Sequence, residues 1–458
     1  MIASRLNAAL QKNAQRPFLI TSKIQWNYAQ AHQATGQLVL TLRESGARRL
    51  ACYLPDSPEL VLLVVAAASA GLPLAIMNRD YNHEQVSALT AELDIDLLFT
   101  DTPLPASLSC RQLAMPAADS YVTTQDAALV ELPELDAELL IFTSGTTGQP
   151  RCVRYQWSDL LAQVSERPSQ DDERWLLAYK LNHFAGIQML AHILSSQGCL
   201  VLADSTRVAD AVTAMISRNV SHVSSTPTFW RFALALMARE KDLPLLRHIT
   251  LGSEPVSEHL LGQLAALFPL ARIVHIYALT EAGSCISVSD GKAGLPASIL
   301  QRPDNAAVQF RIVDDKLQVK THHGMLGYRN APDSQPRGKD GWLATGDLVK
   351  IEQDRIVFNC YWYEYSLQRM LYKKFQFKGI THLKFLKFKG FGPAVHESPS
   401  ETFGSYWIHQ KGSILIDPII ISKQDSRFEK LKIEAKKKSN FILGMIFSQR
   451  KNSPTKTI

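Results

Sequence analysis

Residues 141–151 read Ile-Phe-Thr-Ser-Gly-Thr-Thr-Gly-Gln-Pro-Arg, and the architecture of the chain follows from what stands on either side of them. Upstream, Glu138–Phe142 has the length and apolar character of a buried strand, and it runs straight into a turn in which four hydroxyl residues surround two glycines before Pro150 closes it. Glycine lets backbone amides turn toward an anion and Ser/Thr hydroxyls add donors, so the turn is chemically suited to phosphate. The spacing is not that of a Walker A loop. An ordinary surface turn has the same composition, so the stretch alone leaves both readings open.

Working outward, the chain alternates. Leu50–Leu54 reads as a strand, and Pro58–Ser69 as a helix that starts on Asp-Ser-Pro with proline in its first turn. Leu72–Met77 reads as the next strand, Asn82–Leu93 as a helix and Leu97–Thr100 as a strand. The same rhythm continues through Leu200–Ala203, Val208–Ser217, His222–Ser225, a helix over Thr228–Ala238, and Ile249–Leu251. Strands alternating with helices imply parallel sheets covered by helices, an α/β fold. From about Ala307 short strands and turns take over, as in Val308–Val313 and Leu317–Lys320, which suggests a small β subdomain. The expected organisation is an α/β core over 1–300, a β subdomain over 301–358, and a separate tail over 359–458.

Composition separates that tail. The whole chain has a formal net charge of +6, but residues 359–458 carry 18 Lys+Arg against 7 Asp+Glu, while residues 1–358 are net acidic. The first 358 residues use 22 Arg and 9 Lys, the last hundred 3 Arg and 15 Lys, and alanine nearly vanishes after Phe358. The six cysteines are scattered without CxxC or metal-ligand spacing, so the expectation is reduced, structural thiols. The most apolar run, Leu60–Met77, is broken by Ser69, Gly71 and Pro73, which fits a buried helix and strand better than a membrane span. With no signal pattern at the N-terminus, the expectation is a cytoplasmic protein.

Thr143-Ser144-Gly145-Thr146-Thr147-Gly148-Gln149-Pro150-Arg151 resembles the phosphate-loop signature of the adenylate-forming, AMP-binding superfamily, with Arg151 where lysine is usual. Further segments match in order. Asn182-His183-Phe184-Ala185-Gly186 resembles the HxxG segment, which implies that His183 lines the acyl pocket, although a lone histidine is also a common core residue. Ser224–Trp230 resembles the strand-to-helix VPT segment, and Leu251-Gly252-Ser253-Glu254-Pro255 resembles the GGEP turn beside adenine and acyl group, with Ser253 replacing a glycine. Ile276-Tyr277-Ala278-Leu279-Thr280-Glu281 resembles YGxTE, with Ala278 in place of glycine at the acyl tunnel. The resemblance implies Tyr277 against adenine, Thr280 on the α-phosphate and Glu281 on Mg²⁺. By itself, a Thr-Glu pair reads as a helix start. Ala278, Glu281-Ala282-Gly283 and Asp290–Pro296 together are similar to an acyl-CoA synthetase-like branch. Gly324-Met325-Leu326-Gly327-Tyr328 resembles GxxGY, and Asp340–Leu348 resembles GWxxTGDL, which makes Asp347 the acceptor for the ribose hydroxyls. With the weaker likeness at Asp56-Ser57-Pro58-Glu59, these segments cover about two-thirds of the chain.

The resemblance implies attack of a substrate carboxylate on the α-phosphorus of ATP, with Mg²⁺, Thr147, Arg151, Thr280 and Glu281 serving the phosphates. It implies an acyl adenylate of a fatty or aromatic acid, then transfer to coenzyme A or to the phosphopantetheine of an acyl carrier protein. No nucleic-acid partner is expected. Asp354–Phe358 still follows the pattern, but Asn359-Cys360-Tyr361 stands where Gly-Arg belongs, and neither a hinge nor a lid ending with its lysine follows. Lys456 is only a faint echo of that lysine. The preferred reading takes residues from about 359 as the product of a frameshift, insertion or fusion, an atypical tail for which poor order is one expectation. A divergent lid is the second reading, and a nucleic-acid or membrane patch at Lys373–Lys389 the third. The functional alternative is a catalytically impaired relative that still binds nucleotide or acyl ligand.

Overall fold

In the computed structural model the described residues are 1–105, 108–122, 131–143, 150–164, 167–168, 173–238, 240, 242–331 and 337–358, and, as backbone, 403–410, 421–422 and 441–446. The chain divides into two units, Met1–Phe375 and Gln376–Ile458. In the second unit, Phe403–Gln410 pairs antiparallel with Ile421–Ser422 on one side and Phe441–Ile446 on the other. The expectation about order over residues 359–458 otherwise lies outside the described residues.

The first unit is mixed α/β, as the alternation required. A seven-stranded sheet runs Gly327–Tyr328, Arg151–Gln156, Glu138–Thr143, Leu74–Ile76, Leu50–Tyr53, Leu97–Thr100, Arg111–Ala114. An eight-stranded sheet runs Gly283–Val288, Arg272–Leu279, His248–Gly252, His222–Ser225, Arg174–Leu177, Cys199–Val201, Pro17–Ile20, Gln25–Asn27. Both are parallel in the middle and antiparallel where a hairpin closes an edge. A five-stranded antiparallel sheet contains Val308–Val313, Lys316–Thr321 and Leu343–Glu352, where the sequence suggested β structure.

Period-two alternation explains the layers. Leu139 and Ile141 point into one core while Leu140 and Phe142 point into another, and Leu50 and Cys52 divide in the same way from Ala51 and Tyr53. The first core draws on both large sheets and on the helices Ile2–Asn13, Tyr28–Glu44, Pro58–Ala70 and Phe184–Ser196, which therefore lie sandwiched between them. Pro58–Ala70 shows what that position demands: every residue from Leu60 to Ala70 is buried, so its sequence is apolar all round. Ser57 caps its start and Gly71, at φ +74°, ends it before the strand at Leu74. The run that reached spanning length on paper is thus a helix followed by a strand. Among the described residues no helix is long and apolar enough to cross a membrane. Cys52, Cys110, Cys152, Cys199 and Cys285 are buried free thiols.

The amino ends of the parallel strands of the eight-stranded sheet collect a polar aromatic cluster. Trp175 lies 4.6 Å from His222, 4.9 Å from His192 and 5.5 Å from His248, centroid to centroid. Glu173, itself bonded by Arg167 at 2.9 Å, stands 3.9 Å from His222. Burial depresses both His222 and His248 to about 4, with the neighbouring His and Arg charges adding to it and Glu173 opposing. Because the unfolded chain binds these protons near pH 6.5 and the folded chain does not, their contribution to stability is complete above about pH 6.5 and is lost as pH falls toward 4. For either ring alone the shift corresponds to about 3 kcal/mol. Denaturant titrations from pH 7.5 to 4 should show this decline, reduced in His248→Gln; equal slopes in both proteins would refute the assignment.

Candidate active site

The carboxyl ends of the parallel strands, where a ligand finds an open crevice in such sheets, carry the motif residues. His248–Gly252 ends in Gly252, where an added Cβ would stand 3.2 Å from the Tyr179 hydroxyl and 3.5 Å from the Ile276 carbonyl. Ser253 follows at φ +67°, a left-handed conformation that explains why glycine suits the position and that a serine holds at some cost. Tyr179 hydrogen-bonds both Ser253 and Gly252. Glu254 accepts from Thr228 N at 3.0 Å and Thr228 Oγ1 at 2.6 Å, tying the turn to the first turn of the helix Pro227–Met237. Its carboxylate therefore already serves a helix start. Pro255 leaves the turn as an exposed residue.

Next in the sheet, Arg272–Leu279 folds back through Thr280, Glu281 and Ala282 onto Gly283–Val288, with a register shift between Tyr277 and Ala278. Thr280–Glu281 thus forms a hairpin turn rather than the helix start that the pair alone suggests. Gly283, at φ +81°, sits where a Cβ would meet Gln163 Oε1 at 2.2 Å and the His323 carbonyl at 2.8 Å. Tyr277 Oη donates to Asp347 Oδ2 at 2.6 Å, and its ring lies 5.3 Å from that of Phe358. Asp347 is half-buried; burial raises its pKa, and the Tyr277 hydrogen bond partly offsets this. The same carboxylate, after burial, raises the Tyr277 phenol. Ala278 packs against the core between the two large sheets.

The Thr143–Arg151 turn begins and ends on a register pair, Thr143 opposite Arg151, in an antiparallel hairpin. Ser144, Gly145, Thr146, Thr147 and Gly148 lie outside the described residues. Asn330 fixes the exit of the turn, donating to the Pro150 carbonyl at 2.9 Å and accepting from Cys152 N at 2.8 Å. Arg151 lies with Cζ 5.2 Å from the Tyr328 ring centre and hydrogen-bonds its hydroxyl. Tyr328 Oη in turn donates to Glu281 Oε1 at 3.0 Å, and burial with the Glu281 charge pushes this phenol up to about 12. The turn at Glu281 is held further by Tyr155 Oη on the Thr280 carbonyl at 2.8 Å and by Met325 N on the Glu281 carbonyl at 3.1 Å. Arg151, Tyr328 and Glu281 are thereby brought together. Among the described residues no three His, Cys, Asp or Glu side chains form a cluster able to hold a metal. A single carboxylate fits Mg²⁺, which takes most of its ligands from water and phosphate oxygens.

His183 caps the helix Phe184–Ser196 without a side-chain cap bond and is exposed, in surroundings crowded enough to lower its pKa through burial and the nearby Lys180 charge. Asp56 reaches this segment from the other sheet, accepting from Leu181 N at 2.8 Å. Gly186 lies where a Cβ would be 2.2 Å from the Lys180 carbonyl oxygen.

Several of these positioning residues carried no sequence signal: Tyr155, Tyr179 and Asn330 lie in segments without a motif, and their roles arise from pairing across long separations. Arg355 lies in the segment Asp354–Phe358, which follows the pattern, yet nothing in that segment pointed to its role. Its buried guanidinium bonds Asp290 at 2.6 Å and the carbonyls of Lys292, Ala293 and Gly294, which organises the Asp290–Pro296 loop.

The model of the family described as AMP-binding enzyme matches residues 6–329. The chain belongs to that family of adenylate-forming enzymes. It is 22% identical over 73% of its length, and 69% of the relative's, to 4-coumarate–CoA ligase 1 of Arabidopsis thaliana. It is 25% identical over 76% of its length, and 75% of the relative's, to 2-succinylbenzoate–CoA ligase of Bacillus velezensis. Among solved structures it is similar to o-succinylbenzoate CoA synthetase of Bacillus subtilis bound to its acyl adenylate, with TM-score 0.62, 20% identity and 77% of each chain covered.

Proposed function

We propose that the chain activates a fatty or aromatic carboxylic acid with ATP, forming an acyl adenylate and pyrophosphate, and then transfers the acyl group to a thiol, coenzyme A or carrier-protein phosphopantetheine. The observation that supports this best is the meeting of Tyr277, Asp347, Thr280 and Glu281 around one hairpin at the carboxyl edge of the sheet. Asp347 offers a carboxylate for two ribose hydroxyls, and Tyr277 an aromatic face for adenine. We assign the Thr280 hydroxyl to the α-phosphate as a donor, and Glu281 would hold Mg²⁺, which would supply charge neutralisation on the phosphates. The Thr143–Arg151 turn serves the β- and γ-phosphates. The substrate carboxylate oxygen attacks the α-phosphorus and the bond to pyrophosphate breaks; the protein contributes orientation and charge stabilisation.

His183, Gly252 and Ala278 are the residues we assign to the acyl group. The acids named in the two CoA ligases above are aromatic, which favours an aromatic acid here. The test is ATP–pyrophosphate exchange by the full chain with a panel of aromatic and fatty acids. Acid-dependent exchange at an ordinary enzymatic rate is expected. ATP binding without exchange would replace this reading with the impaired-relative alternative, which the unmatched residues after Phe358 favour. Absence of ATP binding would sink both.

A further inference from the structure

We propose that Arg337 is an anion-binding residue for the pyrophosphate portion of the nucleotide, an inference that rests on the adenylating reading above. Among the described residues its Nε and Nη2 are buried with no hydrogen-bond partner, while Nη1 makes only a long contact of 3.4 Å to the Thr321 carbonyl. Among the described residues no carboxylate comes within ion-pairing distance of it. A guanidinium is always charged, and burying two of its N–H groups without an acceptor is costly. Such an arrangement is stable when an anion completes it.

The position identifies the anion. Nη2 lies 1.9 Å from where a Cβ on Gly324 would stand, and that same point is 2.8 Å from the Glu281 carbonyl oxygen. The glycine that opens the GxxGY segment therefore makes room for an arginine against the Thr280–Glu281 turn. The Tyr155 phenol feels the Glu281 and Arg337 charges in opposite directions, so all three share one neighbourhood. Arg151 approaches Glu281 from another side, through Tyr328. The sugar-binding carboxylate, Asp347, lies back along the strand at Tyr277. Two arginines flank the end of the hairpin away from the sugar, where a phosphoanhydride would lie. Two unsatisfied N–H groups on one planar fork match two oxygens of such a group.

The test compares wild type, Arg337→Met and Arg337→Lys as full chains, by calorimetric binding of sodium pyrophosphate and of AMP and by thermal denaturation with each. Arg337→Met should weaken pyrophosphate at least about ten-fold and leave AMP within about two-fold, with Arg337→Lys between. Without ligand, Arg337→Met should melt at or above the wild type, because no native hydrogen bond of Nε or Nη2 is removed. Unchanged pyrophosphate affinity, or equal loss of AMP and pyrophosphate with a lower melting temperature, would overturn the assignment and leave the adenylating reading standing. Wild type that binds AMP but not pyrophosphate would also overturn it alone; wild type that binds neither would overturn both.

Discussion

Asp347→Asn should weaken ATP binding by about a hundred-fold while leaving the fold intact. The estimate follows from chemistry at one side chain. A carboxylate that accepts from two sugar hydroxyls makes two charge-assisted hydrogen bonds, each worth about 1.5–3 kcal/mol. Asparagine keeps the shape and one acceptor oxygen but loses the charge, so roughly 3 kcal/mol should disappear. The fold is safe because the hydrogen bond that Asp347 accepts from Tyr277 Oη at 2.6 Å can be made to the amide oxygen as well. Equilibrium binding of ATP and 2′-deoxy-ATP separates this from a general disturbance. Wild type should prefer ATP clearly, and Asp347→Asn should bind the two almost equally. Because burial raises the Asp347 pKa, wild-type affinity should also fall as pH drops into the carboxylate range, and the variant should lack that dependence. An Asp347→Asn protein with wild-type affinity and wild-type discrimination against the deoxynucleotide would remove Asp347 from the site.

The strands and helices of the core were legible because each has one dominant cause. Pro58–Ala70 needs an apolar surface all round, and capping signals at both ends mark its limits. Strands such as Leu97–Thr100 are short apolar runs bounded by turns, so even their limits could be read. The edge pairings were not legible. Arg151–Gln156 mixes polar and apolar residues without strict alternation, Cys152 and Val153 both being buried, and is a strand because Glu138–Thr143 and Gly327–Tyr328 flank it, partners drawn from either side of it in sequence. The site divides in the same way. Tyr277, Glu281 and Asp347 could be singled out because each lies in a segment that resembles a family motif. Arg355 and Asn330 could not, because their work is to bond backbone carbonyls and amides whose positions only the fold determines. Ser253 marks the boundary between the two: its departure from glycine was visible in sequence, but its φ of +67° was not.

Gly186→Ala should be strongly destabilising, with Gly262→Ala its opposite. Both glycines are helical, in Phe184–Ser196 and Glu258–Leu267, so helix propensity alone favours alanine at each by about 0.5–1 kcal/mol. Their surroundings differ. At Gly262 an added Cβ meets nothing within 4 Å, so stabilisation of about that size is expected. At Gly186 it would stand 2.2 Å from the Lys180 carbonyl oxygen, 2.7 Å from its carbon and 3.0 Å from the Leu181 Cα. These are backbone atoms, and they cannot rotate away. The Lys180–His183 turn is held by His183 N on the Lys180 carbonyl at 3.0 Å and by Asp56 on Leu181 N at 2.8 Å, so making room means breaking one of these or tilting the helix. A cost of about 3 kcal/mol or more is expected, with the same displacement carrying Tyr179 away from the Gly252 turn. Gly186→Ala should therefore lower the melting temperature and weaken acid-dependent exchange more than ATP binding, because Tyr277 and Asp347 lie on other strands. Melting curves of the two variants alongside wild type decide it: a Gly186→Ala protein as stable as Gly262→Ala would show that the helix start yields freely, and that the glycine of the HxxG segment has some other cause.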